Sequence, residues 1–191
     1  MIACAVPLAG CGNSFPILIP TSDCAEAVHA YRDAAHSVLA NLNALAFDFT
    51  ARQKLQGQNL NLFVVEQLPI IPLKVYHRRF GDRIAADQVR DHVLRLTYTA
   101  HDMAAFARDL GHHGPPFPWD EEQRRHLRAR LDACYFHLYG LDRDNARYIL
   151  STFPMIQRQD EDQFGTFRTR DLILAYMNAL AAGDTRTDVA A

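Results

Sequence analysis

Val89, Val93, Leu96, Ala100, Met103, Ala107 and Leu110 follow one another at alternating steps of four and three residues. An α-helix, at 3.6 residues per turn, lines such a series up along one face, whereas a strand would throw it to both sides. The pattern predicts a helix from about Ala85 to Leu110, stopped by Gly111. Its apolar stripe has to be covered by something else. Ala34, Val38, Leu42, Leu45 and Phe49 form a second stripe, within a predicted helix that starts after Asp23 and runs through Phe49. Leu127, Leu131, Cys134 and Leu138 form a third. Stripes of this kind stabilise a chain only by packing on one another, so the fold class is α+β and predominantly α-helical.

The helix starts are marked by short polar side chains that can take up unpaired backbone N–H groups. Asp23 with Glu26, and Asp120 with Gln123, have the capping-box spacing. Asp142 starts a shorter helix to about Leu150, and a last one is predicted from Thr169 to Ala181. Gly114-Pro115-Pro116-Phe117-Pro118 reads as a rigid loop, Gln159 to Gln163 as an acidic solvated loop, and Gly183 to Ala191 as a frayed end. The small β portion belongs to the N-terminal part. Strands are predicted at Ile2 to Leu8 and Phe15 to Ile19, with strand-like alternation over Leu60, Leu62 and Val64. Two regions result: 1–82, with the strands and a basic connector from Tyr76 to Arg83, and a helical module over 83–191. Beginning with residue 2 already inside a strand, the chain reads as the tail of something longer.

At 191 residues and 49% hydrophobic composition the chain can bury a real core. No apolar run approaches the roughly 20 residues of a membrane helix, so no membrane partner is expected. Leu8-Ala9-Gly10-Cys11 resembles a lipoprotein cleavage box, but no Lys or Arg precedes it and Pro7 interrupts the run. Cysteines at 4, 11, 24 and 134 match no zinc-ligand spacing. The simple reading is a cytoplasmic protein with reduced thiols.

The net charge is −2, so any contact with nucleic acid has to come from a local patch. One exists. Between Phe49 and Arg83 stand Arg52, Lys54, Lys74, Arg78, Arg79 and Arg83, against only Glu66 and Asp82. Gln53, Gln56, Gln58, Asn59 and Asn61 add amides around a break at Gly57. Arg and Lys suit guanine edges and phosphates, Gln and Asn suit adenine edges, and N–H groups freed near a glycine can hold a phosphate. On composition alone the simpler reading of the same loop is a solvated turn whose charges touch only water.

Enzyme chemistry finds little support. Adjacent histidines such as His112 and His113 diverge, and suit a helix end better than a metal. Asp120-Glu121-Glu122 sits at a predicted helix start, where negative charge is already accounted for. Gly10-x-Gly12 lacks a third glycine, and no Ser or Cys occupies a nucleophile elbow. No catalytic residue, metal site or cofactor is expected in this chain.

"ANLNALAFDFTARQKLQGQNLNLFVVEQLPIIP" resembles the C-terminal part of large bacterial N6-adenine DNA methyltransferases, including restriction–modification fusions of the type IIG kind. That family runs a similar Asn-x-Leu, Phe-Asp-aromatic, Ala-Arg-Gln-Lys, Leu-Asn-x-Phe and Gln-Leu-Pro. "RLTYTAHDMAAFARDLGHHGPPFPWDEEQRRHLRARLDACYFHLYGLDRDNARYIL" and "STFPMIQRQDEDQFGTFRTRDLILAYMNAL" are similar to its tail, so the likeness covers nearly the whole chain. The opening, "IACAVPLAGCGNSFPILIP", resembles strands of the family's target-recognition region. The loop-then-Leu-Pro layout is also similar to recognition domains of type I specificity subunits. Family members often carry a second glycine and a threonine where this chain has Gln56 and Gln58-Asn59.

The resemblance implies a partial target-recognition domain over 1–82 joined to a helical C-terminal module over 83–191. It implies double-stranded DNA as partner, met by Arg52, Gln53, Lys54, Gln56, Gly57, Gln58, Asn59, Asn61, Arg78 and Arg79. The family's Asn-Pro-Pro-Tyr motif and its S-adenosylmethionine loop do not occur in this sequence. A methyltransferase or restriction subunit or domain would therefore supply the chemistry. The alternative is a helical interaction module, with 85–110 and 120–139 docking a partner subunit and no DNA contact.

Overall fold

Ala44 divides what the periodicity reads as one helix. In the computed structural model, which describes residues 3–6, 17–18, 24–55 and 62–189, α1 spans Ala25–Asn43 and α2 spans Leu45–Lys54, with Ala44 extended between them. The break has two visible causes. Asn43 turns its amide back onto the Leu39 carbonyl at 2.9 Å, the competition with backbone bonding that makes Asn a poor helix interior. Asp132, 87 positions away, accepts the Leu45 N–H at 2.7 Å and so caps α2 from another helix. At the other end of α1 the cap is Cys24, whose Sγ accepts from Ala27 N; Asp23 lies outside the described residues.

The remaining helices are α3 (Leu62–Val65), α4 (Ala85–Thr97), α5 (Ala104–Asp109), α6 (Glu121–Leu138), α7 (Arg143–Ser151), α8 (Pro154–Phe164) and α9 (Arg168–Ala181). Leu73–His77 and His101–Met103 are single 3-10 turns. The only sheet among the described residues is an antiparallel hairpin, β1 (Arg79–Phe80) with β2 (Arg83–Ile84), in which Arg79 pairs Ile84 and Phe80 pairs Arg83. A predominantly helical α+β chain is the result.

The Asp120 and Asp142 caps are formed as predicted, each carboxylate accepting from the N–H three residues on at 2.8 Å. Five local expectations are corrected. The alternation over Leu60 to Val64 is a helical turn from Leu62, not a strand. Of the N-terminal strands, residues 3–6 and 17–18 are described, and neither stretch joins a ladder; Ala3 bonds the Asn43 amide instead. The stripe from Ala85 to Leu110 breaks at Tyr98, whose carbonyl accepts from Phe117 N at 2.9 Å while its ring enters a small cluster with Leu94, Ala107 and Leu110. The run Gln159 to Gln163 is part of α8, and Asp160 is 4% exposed because it caps Thr169 N and faces Arg125 at 3.5 Å. The stretch after Gly183 is held down, with Thr185 buried and Arg130 donating to the carbonyls of Thr185, Arg186 and Thr187.

The principal core lies between α6 and α9, where Ala129, Ala133, Tyr135 and Phe136 meet Leu172, Ile173, Tyr176 and Met177. Small alanines on α6 let α9 approach closely, and each buried aromatic contributes on the order of 2–3 kcal/mol. α4 packs between α1 and α6, and α2 lies against α6 and α7. One cluster takes in Phe47, Tyr76 and Phe80 as well as Val89 and Phe136, so packing is continuous across position 82. A buried polar chain helps to fix it. Tyr135 and Tyr76 hydroxyls stand 3.0 Å apart, Tyr135 donates to Ser37 O, and Asn41 joins the Ile71 N–H to the Tyr139 hydroxyl. Among the described residues no helix is long and apolar enough to cross a membrane.

Candidate nucleic-acid interface

α2 delivers the first three of the expected contact residues. Its face toward the core carries Phe47, Asp48 and Ala51, and its last turn carries Arg52, Gln53 and Lys54 outward. Arg52 is already engaged. Its guanidinium bonds Asp48 one turn back at 2.9 Å and lies 4.7 Å above the Phe153 ring. That is an ordinary i,i+4 pair reinforced by a cation–π contact, and it holds the side chain against α8 rather than extending it into solvent. Gln53 and Lys54 are exposed, and Lys54 pairs with no carboxylate among the described residues. Gln56, Gly57, Gln58, Asn59 and Asn61, the centre of the expected reading loop, lie outside the described residues.

Arg78 and Arg79 stand at the entry to the hairpin, and both are exposed. Arg78 donates to the His137 carbonyl at the last turn of α6, where the helix presents its negative end, and lies 5.2 Å over the Phe80 ring. Burial, with the Arg78 charge adding to it, holds the neighbouring His137 below its ordinary pKa. Arg79 donates to the Asp82 carbonyl at 3.1 Å. Both guanidiniums therefore bond backbone oxygens, and neither charge is neutralised by a carboxylate among the described residues. Arg83, four residues on, differs: it pairs with Asp91 of α4.

Sequence reasoning left two residues out of the contact set that the 3-10 turn places beside Arg78 and Arg79. Lys74 and His77 are both exposed, and from Gln67 to Gly81 the chain has no Asp or Glu at all. That long acid-free interval lies inside the basic stretch from Phe49 to Arg83, whose charge count alone does not single it out. Ile70 and Leu73 are exposed in the same segment. The strip belongs to the 3-10 turn and the hairpin, and Lys54 to the last turn of α2. No group of His, Cys, Asp and Glu that could hold a metal ion occurs among the described residues. Comparison with known protein families, curated proteins and solved structures finds no match.

Proposed function

We propose that this chain is a DNA-binding, target-recognition segment of the kind that accompanies an N6-adenine DNA methyltransferase, and that a separate subunit or domain performs the methyl transfer. The observation that supports it best is the acid-free strip, where Lys74, Arg78 and Arg79 are exposed and no carboxylate among the described residues neutralises them. On a chain of net charge −2, such a strip concentrates the attraction for phosphates in one place. Lys54 and Gln53 add a second exposed contact at the end of α2, close in sequence to the expected reading loop, Gln56–Asn61. Lys74, Arg78 and Arg79 meet phosphates and set the register; the amides of the loop read base edges.

The test is fluorescence anisotropy on a labelled duplex across a salt series. Replacing Lys74 and Arg79 together by Ala should lower the slope of log affinity against log salt by about two units. An unchanged slope, or no binding by the parent chain at low salt, sinks the reading.

A second reading has one observation of its own. Trp119 is 61% exposed, with Arg124 stacked 3.7 Å from its ring at the start of α6. A large aromatic left open just before a helix that also lines the core is suited to docking a protein partner, beside the interaction module over 85–110 and 120–139. Trp119→Ala would then abolish co-purification with a partner, and the parent chain would bind no duplex at low salt.

A further inference from the structure

A cleft of about 540 Å³ opens between α4, α6, the hairpin and the segment after α9. Its α4 wall presents His92 and Arg95, three residues apart and so on one face. The α6 wall presents His126 and Arg130, four apart, while Arg83 and Arg186 stand at the rim. A cleft with four arginines would be unremarkable if each had its carboxylate, and three of them do. Arg83 pairs with Asp91, Arg186 with Asp82, and Arg130 with Asp188 at 2.8 Å. Glu122, which also lines the cleft, is taken by Arg168 and Arg125. Asp120 caps α6 through Gln123.

Arg95 is the exception. Among the described residues its guanidinium has neither a hydrogen-bond partner nor a carboxylate; its one contact is the Phe117 ring at 5.8 Å. Its Nε is buried and unsatisfied. His92, beside it, also makes no side-chain hydrogen bond among the described residues, although Arg130, Arg83 and Arg95 face it from three elements. Burial, then those three charges, depress its pKa to about 3, so the imidazole is neutral and offers one N–H donor. A buried donor left unmade costs on the order of 1–3 kcal/mol. One such donor, Arg95 Nε, beside an imidazole that makes no hydrogen bond among the described residues, in an open cleft, is what a site for an acceptor presents.

From this cluster we infer a binding site for a small ligand bearing a single phosphate group, held by Arg95 and His92 with Arg83 and Arg130 lending charge. The chemistry sets the class. Arg95 donates only, so its partner is an acceptor, and the planar fork suits a phosphate oxygen pair. Asp120, Glu122 and Asp188 around the same space leave one cation uncompensated, which admits one phosphate and disfavours a polyphosphate. The volume is that of a site for a metabolite, larger than a free anion fills. The inference is independent of the DNA reading, which uses Lys54, Lys74, Arg78 and Arg79.

The experiment is a titration of the full chain with inorganic phosphate and with a nucleoside 5′-monophosphate, at constant ionic strength, following the His92 ring by NMR and the heat by calorimetry. One saturable site that moves the His92 signals is expected, with no response to chloride. Arg95→Gln should weaken it at least about tenfold, while the Lys74, Arg79 double variant should bind as the parent does. If Arg95→Gln does not fold, the phosphate-against-chloride contrast at His92 in the parent chain decides. The site is refuted by no saturable shift up to about 50 mM phosphate, by equal affinity in a folded Arg95→Gln, or by a His92 response to unphosphorylated duplex ends alone.

Discussion

Gly81 and Gly183 meet backbone to backbone: a Cβ placed on Gly81 would lie 2.1 Å from the Gly183 carbonyl oxygen. Both have positive φ, 59° and 80°. The hairpin turn thus seats on the C′ position of α9, and the neighbouring Asp82 carboxylate extends the seam by accepting from Thr185 and Arg186. This junction joins the two ends of the described core and forms one side of the cleft.

Gly81→Ala should therefore be costly for two additive reasons, a disfavoured φ and a clash with backbone that cannot swing aside. A loss of more than about 2 kcal/mol in urea unfolding is expected, with faster amide exchange from Thr185 to Thr187. Gly111→Ala is the control. Its φ is 81° with nothing within 4 Å, so it should cost only about 1 kcal/mol. Equal losses in the two variants would mean that the hairpin does not touch the end of α9.

Asp132 gives a prediction about pH. Burial lifts its carboxyl from 3.8 to about 7, while the Leu45 N–H bond and the Arg128 charge pull the other way and Asp48 adds to the rise. Between those two values the folded chain holds a proton that the unfolded chain has released. Stability from this group is therefore greatest below about pH 4 and declines until about pH 7, by roughly 2–4 kcal/mol. Asn in its place keeps an oxygen for Leu45 N and removes the titration. The stability of Asp132→Asn relative to the parent should then rise by that amount between pH 5 and pH 8. Parallel pH profiles for the two proteins would refute it.

The features legible in the sequence are those whose cause is local. Asp120 and Asp142 could be assigned as caps because the N–H that each accepts lies three residues on. The break at Ala44 could not, since Asp132 sits 87 positions away. Asp160 reads as a solvated acid until Arg125 and the N-terminus of α9 are folded onto it. The segment after Gly183 reads as frayed because its anchor is the Arg130 side chain on another helix. The residues expected to meet DNA divide the same way. The exposure of Lys54, Arg78 and Arg79 follows from their polar surroundings. Arg52 has a partner in Asp48 that spacing alone could suggest, but Phe153, which fixes its direction, comes from α8's start. His92 and Arg95 attract no notice along the chain, because a helix face with one His and one Arg is ordinary until its neighbours' carboxylates are all accounted for.

Cys134 should be inert in the folded protein. It is 2% exposed, and burial pushes its thiol up to about 12, so almost no thiolate forms near neutral pH. Iodoacetamide should modify Cys134 only at the rate of unfolding, and exposed Cys4 well before it. Labelling of both at one rate would place Cys134 at the surface.

Arg52 and Lys54 would separate stability from the proposed DNA contact within one turn of α2. Arg52→Ala removes a guanidinium that bonds Asp48, whose side chain is only 10% exposed, and that covers the Phe153 ring. About 1 kcal/mol of stability should go with it, and any loss of DNA affinity would carry that structural cost with it. Lys54→Ala removes an exposed charge with no carboxylate partner among the described residues, so its urea midpoint should match the parent's. If Lys54 meets a phosphate, the salt slope of duplex binding should nonetheless fall by about one unit, uniformly across duplex sequences. A slope unchanged in Lys54→Ala would remove the end of α2 from the interface and leave the Lys74–Arg79 strip as the whole of it. A slope that falls only for some duplex sequences would instead put Lys54 on a base edge.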